Sequence, residues 1–162
     1  MMPRAVCGVL DQARPETDML KPLSIIAYFG MVAGLLVLAA TRNLFSPSLF
    51  VIAPQVAALL LMVWARMTFG GRSFHVAANP TQGSLVTTGP YRFIRHPIYT
   101  AVCIFTGSGV VAHWAWSSCL LAALVMACAL IRMFFEEKLL VARYPEYGRY
   151  AVRSWRMIPF VF

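Results

Sequence analysis

The chain has 162 residues, enough for one domain and short for two. Apolar residues make up 60% and charged residues 12%, about half the charged share of a soluble domain; with a mean hydropathy of +0.70 this excludes a disordered chain and an ordinary soluble enzyme. The formal charge of +8 does not point to nucleic acid, because too little polar surface remains for a broad basic face.

Residues 1–20 contain a short apolar stretch, AVCGVL, followed by the acidic, proline-containing DQARPETD. That is no secretory signal, and the segment is expected to be a disordered cytoplasmic lead. Residues 21–162 are expected to form a single membrane domain. Uncharged windows of 20, 23 and 36 residues lie between Lys21 and Arg42, Arg42 and Arg66, and Arg95 and Arg132. About 20 apolar residues cross roughly 30 Å of hydrocarbon. The first two windows therefore hold one span each. The third is too long for one and reads as a hairpin turning near 112–118, where Trp114 and Trp116 suit a membrane interface. The predicted fold is an all-α polytopic membrane bundle with spans near 22–40, 48–65, 97–112 and 118–135.

Lys and Arg are frequent before the first predicted span, sparse in the first loop, frequent in the second loop, absent from the third and frequent in the tail. This alternation places both termini and the long second loop in the cytoplasm. Gly30 and Gly34 form a GxxxG pair that predicts close helix packing. Four scattered cysteines, with no CxxC pair, suggest neither a disulfide framework nor a metal site.

Two segments depart from plain membrane sequence. In GSLVTTGPYRFIRHPIY, residues 83–99, Gly89–Pro90 predicts a turn and His96–Pro97 opens a helix. Tyr91, Arg92, Arg95, His96 and Tyr99 gather at that helix start, where free N–H groups and the dipole favour an anion. The second segment begins where Arg132, Glu136 and Glu137 follow an apolar run. Ionisable groups at the hydrocarbon boundary are costly and suggest function; Arg132 and Glu136 also have the spacing of a plain i,i+4 ion pair. The tail beyond, rich in Arg, Tyr and Trp, reads as an amphipathic segment on the cytoplasmic membrane surface that could lid a cavity. In a hairpin, His96 and Glu136 lie at its two open ends and can meet. A ligand bearing a carboxylate, an amino group and an aromatic base would suit these groups.

The run L-V-x-x-G-x-Y, then R-H-P-x-Y, R-x-x-x-E-E and a Tyr-rich tail ending in I-P resembles the isoprenylcysteine carboxyl methyltransferase family and its bacterial relatives, including phospholipid methyltransferases. The resemblance covers residues 66–162. It implies a cytoplasmic cofactor-binding core and methyl transfer from S-adenosylmethionine to a lipophilic acceptor, a carboxylate or a lipid amine, entering from the bilayer. It assigns the cofactor to Gly83, Ser84, Leu85, Val86, Tyr91, His96, Pro97, Ile98, Tyr99 and Glu136. It assigns the acceptor to Arg132 and leaves Glu137, with His96, as a candidate base for an amine. No metal and no nucleic acid are expected. Two alternatives remain at this stage. Sterol reductases, which use a nicotinamide cofactor, look similar over the RHPxY segment and the tail; the other is a non-enzymatic membrane subunit.

Overall fold

The computed structural model describes residues 14–70 and 85–161, with side chains from Pro22 onward. Its elements are α1 (Arg14–Ala40), α2 (Leu49–Phe69), a 3-10 turn (Gly89–Arg92), α3 (Pro97–Ala112), α4 (Trp116–Arg143) and α5 (Tyr147–Val152). No named strand occurs among the described residues; one isolated parallel bridge joins Ile94 to Trp155. The all-α membrane bundle expected from the sequence is the fold found.

Three helical stretches are long and apolar enough to cross a membrane: Pro22–Ala40, Leu49–Phe69 and Trp116–Arg143. The fourth expected span, α3, is a shorter apolar helix of 16 residues. At about 1.5 Å per residue it falls short of roughly 30 Å of hydrocarbon. Two boundaries also differ from expectation. Helix α1 begins at Arg14, so residues 14–20 of the expected lead are helical. Helix α4 continues to Arg143, eight residues beyond the predicted end at 135. Its acidic and basic side chains pair laterally with neighbouring elements, so charge does not stop the helix.

The packing order is α1 on α4, α4 on α3 and α3 on α2. The α3–α4 hairpin is therefore the centre, with the first two helices flanking it. The GxxxG pair does bring helices together. A Cβ on Gly30 would sit 3.1 Å from Cys128 Sγ, and one on Gly34 would sit 2.6 Å from Val125 Cγ2. The other flank is fixed by polar groups. Gln55 is buried on α2 and donates to the Leu44 carbonyl at 2.7 Å. Gly109 on α3 lets that same backbone stretch approach, because any side chain there would strike the Leu44 carbonyl. Between them lies a core that includes Met31, Leu38, Val102, Val125 and Met133.

The tail does not lie flat as a continuous amphipathic helix. After α4 it turns at Tyr144, forms the single helical turn and a half of α5, and folds back onto the start of α3. Arg95 and His96 donate their backbone N–H to the carbonyls of Trp155 (2.7 Å) and Arg156 (3.0 Å), and Trp155 donates to Phe93 (2.9 Å). Thr100 Oγ1 donates to the Met157 carbonyl at 3.0 Å. Tyr147, Ser154 and Met157 are buried by this return, while Val152, Phe160 and Val161 remain exposed.

Candidate active site at the open end of the hairpin

Two elements position the site. The first is the turn into α3. Gly89 has a φ of 58°, a left-handed conformation suited to glycine, and lies directly against Thr68 at the end of α2. The 3-10 turn that follows buries Pro90 and Tyr91. His96 then precedes Pro97, the first residue of α3, where the missing N–H costs no helix hydrogen bond. Its carbonyl accepts the Thr100 N–H, the first hydrogen bond of the helix, at 3.0 Å. The second element is the second half of α4, where Arg132 and Glu136 lie one turn apart.

The two elements converge. His96 is 5% exposed, and its Nδ1 lies 3.8 Å from Glu136 Oε2. Tyr99, also buried, donates its hydroxyl proton to Glu136 Oε1. Arg132 Nε donates to the Tyr99 hydroxyl at 2.7 Å and lies 3.5 Å from Glu136 Oε1. Burial pushes the Tyr91 hydroxyl well above the usual tyrosine range, and the negative charge of Glu136 adds to the shift. Among these acids and bases Glu136 is the most open, with 26% of its side chain exposed against 4% for His96 and 5% for Arg132. A partly exposed carboxylate held by a phenol beside a buried imidazole is suited to grip a cationic or hydroxyl-bearing ligand.

Glu137 faces a different set of partners. Arg95 Nε is 3.0 Å from its Oε1 and Arg156 Nε is 3.1 Å from its Oε2. Tyr147 donates to Oε1 at 3.4 Å, and His96 Nε2 lies 3.5 Å from the same oxygen. Arg95 also reaches the Ala151 carbonyl through Nη1 at 2.7 Å. Glu137 is thus the knot that ties the tail to the hairpin. Both of its oxygens are engaged by these cationic partners.

Arg132 likewise has a geometry other than the expected open acceptor clamp. Its Nη1 donates to the Ser24 carbonyl at 3.1 Å, and its guanidinium lies 4.9 Å from the centre of the Tyr28 ring. It links α1 to Tyr99 and Glu136 and holds them in place. Of the remaining expected residues, Leu85, Val86 and Ile98 are half-buried, Pro97 is fully buried, and Gly83 and Ser84 lie outside the described residues.

Tyr147, Arg156, Ser24 and Tyr28 are site partners that sequence reasoning did not assign, and Arg95, expected at the anion-favouring helix start, is paired with Glu137. The excess of arginine over acid in the tail signals that some guanidinium must answer Glu137, but not which. The α1 partners have no motif at all. Among the described residues no group of three His, Cys, Asp or Glu side chains is arranged to hold a metal ion.

Comparison with known proteins supplies the family. Two relatives share the sequence: the nickel-cobalt-cadmium resistance protein NccN of Alcaligenes xylosoxydans xylosoxydans, 32% identical over 102 residues, and the cobalt-zinc-cadmium resistance protein CzcN of Cupriavidus metallidurans, 29% identical over 102 residues. Each match covers 60% of this chain and 42% of the relative, so the chain spans less than half the length of either. No solved structure matches. The profile of the phospholipid methyltransferases matches residues 56–147, more than half of the chain and including every side chain of the His96–Glu136 cluster. The chain is an integral membrane protein of the phospholipid methyltransferase family.

Proposed function

We propose that the chain is a membrane methyltransferase that uses S-adenosylmethionine to methylate a lipophilic acceptor. The observation that carries this reading is the meeting of His96 and Glu136, 3.8 Å apart across the hairpin, with Tyr99 bonded to the carboxylate. The residues present fit the cofactor. Glu136 offers a carboxylate to its amino group or ribose hydroxyls. The first turn of α3 offers the N–H groups of Ile98 and Tyr99 to a carboxylate. Tyr91 and the half-buried Leu85 and Val86 offer an aromatic and apolar wall to a base.

When bound, S-adenosylmethionine supplies a methyl group on a sulfonium that departs as a neutral thioether. The protein's part is therefore positioning and exclusion of water. Tyr99 holds Glu136 at one oxygen, and Arg132 holds Tyr99, so the carboxylate is set before any ligand arrives. The tail closes against the start of α3 through its backbone bonds to Arg95 and His96, and against α4 through Glu137.

Glu137, a candidate base for an amine acceptor together with His96, is enclosed by two arginines and a tyrosine. This favours an acceptor that arrives already deprotonated, such as a carboxylate, over an ammonium. The cofactor enters from the cytoplasm, the side to which the charge alternation assigns the tail, and the acceptor enters from the bilayer. The metal-resistance names belong to the relatives; the present reading rests on the family and on the site geometry.

The test is transfer of a radiolabelled methyl group from S-adenosylmethionine into a total membrane lipid extract by the purified protein. The expected product releases its label as volatile methanol in alkali, as a methyl ester does. An alkali-stable product would instead mark an amine acceptor, and no transfer to any lipid fraction would overturn the proposal.

A further inference from the structure

The returning tail frames a half-open cavity of about 400 Å³ whose lining includes neither Glu136 nor His96. Its walls include Arg95, Arg153, Arg156, Trp155, Val152 and Val161. The volume lies within the range of small-ligand sites. Three arginines and no acidic residue line it, and the Glu137 carboxylate bridges two of them, Arg95 and Arg156. The cavity therefore keeps a positive balance. Its edge is apolar and open: Val152 is 89% exposed, Val161 76% and neighbouring Phe160 85%, with the Phe160 ring 5.6 Å from that of Trp155. A soluble phosphate compound would gain nothing from such an edge, whereas an amphiphile with an anionic head matches both parts. Basic side chains at a membrane surface attract anionic lipid in the same way.

We propose that this cavity binds the phosphodiester head of an anionic phospholipid as a resident, non-reacting lipid, with its chains meeting the apolar edge. Occupancy ties the tail to the bilayer. Because the carbonyls of Trp155 and Arg156 hold the N–H groups of Arg95 and His96, it also steadies the start of α3. The site is independent of the methyl-transfer reading, and its test needs neither cofactor nor acceptor.

The experiment equilibrates the purified full chain with mixed micelles containing phosphatidylcholine and phosphatidylglycerol and counts retained lipids by native mass spectrometry. Arg153 is exposed and plays no part in the cluster around Glu136. Arg149, also exposed, lies outside the cavity and serves as control for general surface charge. Wild type and Arg149→Gln are expected to retain phosphatidylglycerol over phosphatidylcholine. Arg153→Gln is expected to retain about fivefold less, with an unchanged unfolding midpoint. Equal losses in the two variants would overturn the proposal in favour of diffuse attraction. So would displacement of the lipid by millimolar inorganic phosphate, which would show that a free phosphate is the ligand.

Discussion

Adjacent residues on α4, Glu136 and Glu137, separate into two roles because one bonds Tyr99 and stays partly exposed while the other turns into a knot of cations. Glu137→Gln keeps the shape but removes the charge that balances Arg95, whose side chain is only 10% exposed. Breaking a buried pair in this way costs about 3 kcal/mol. A clear fall in the unfolding midpoint in detergent is expected, and a midpoint equal to wild type would show that the knot contributes nothing. Tyr150 gives a second residue-scale prediction. Its hydroxyl donates to the Tyr91 carbonyl at 2.7 Å, and burial pushes its pKa up to about 12. A folded-state value above the unfolded one, near 10, leaves its contribution intact below about pH 10 and removes it as the pH rises toward 12. Burial raises Tyr91 and Tyr147 in the same direction. Thermal melts should therefore hold steady up to about pH 10 and fall beyond it. Tyr150→Phe should lower the plateau by about 1 kcal/mol and make the alkaline fall shallower; an unchanged alkaline slope would remove Tyr150 from this account.

At the scale of elements, the glycines give predictions of opposite sign. Gly109→Ala drives a methyl into the Leu44 carbonyl, a backbone group that Gln55 also holds. Overpacking of this kind costs about 1–3 kcal/mol. Gly148 on α5 has open space around its missing Cβ, so Gly148→Ala should be neutral or stabilising by up to about 1 kcal/mol through helix propensity. Paired thermal melts decide the matter: equal effects at the two positions would contradict the packing described. The helices were legible because uncharged windows of membrane length admit few readings, and the GxxxG pair marked a close helix contact without naming its partner, which is α4. The i,i+4 spacing of Arg132 and Glu136 placed both on one helix, whereas the continuation of α4 to Arg143 was not legible, since charges end a hydrophobic window without ending a helix. Nor was the fold of the tail. Its bonds to Phe93, Arg95 and His96 are made by backbone groups some 60 residues apart, and backbone groups leave no signature in side-chain order. The meeting of His96 with Glu136 followed from hairpin topology alone, whereas the partners of Arg132 and Glu137 depend on packing directions that spacing does not encode.

For the whole molecule, the account places ligand binding in one preformed cluster at the open end of a hairpin. Arg132, Tyr99 and Glu136 act as a chain from α1 to that cluster. The most direct measurement is calorimetry of S-adenosylhomocysteine binding in detergent to wild type, Glu136→Gln and His96→Ala, with unfolding midpoints recorded for each and NADPH as the rival ligand. Removing a charged hydrogen-bond partner should weaken affinity by about tenfold or more. The account predicts binding of S-adenosylhomocysteine by the wild type, that loss in both folded variants, and no heat with NADPH. Undiminished affinity in both variants, or binding of NADPH in place of S-adenosylhomocysteine, would contradict it.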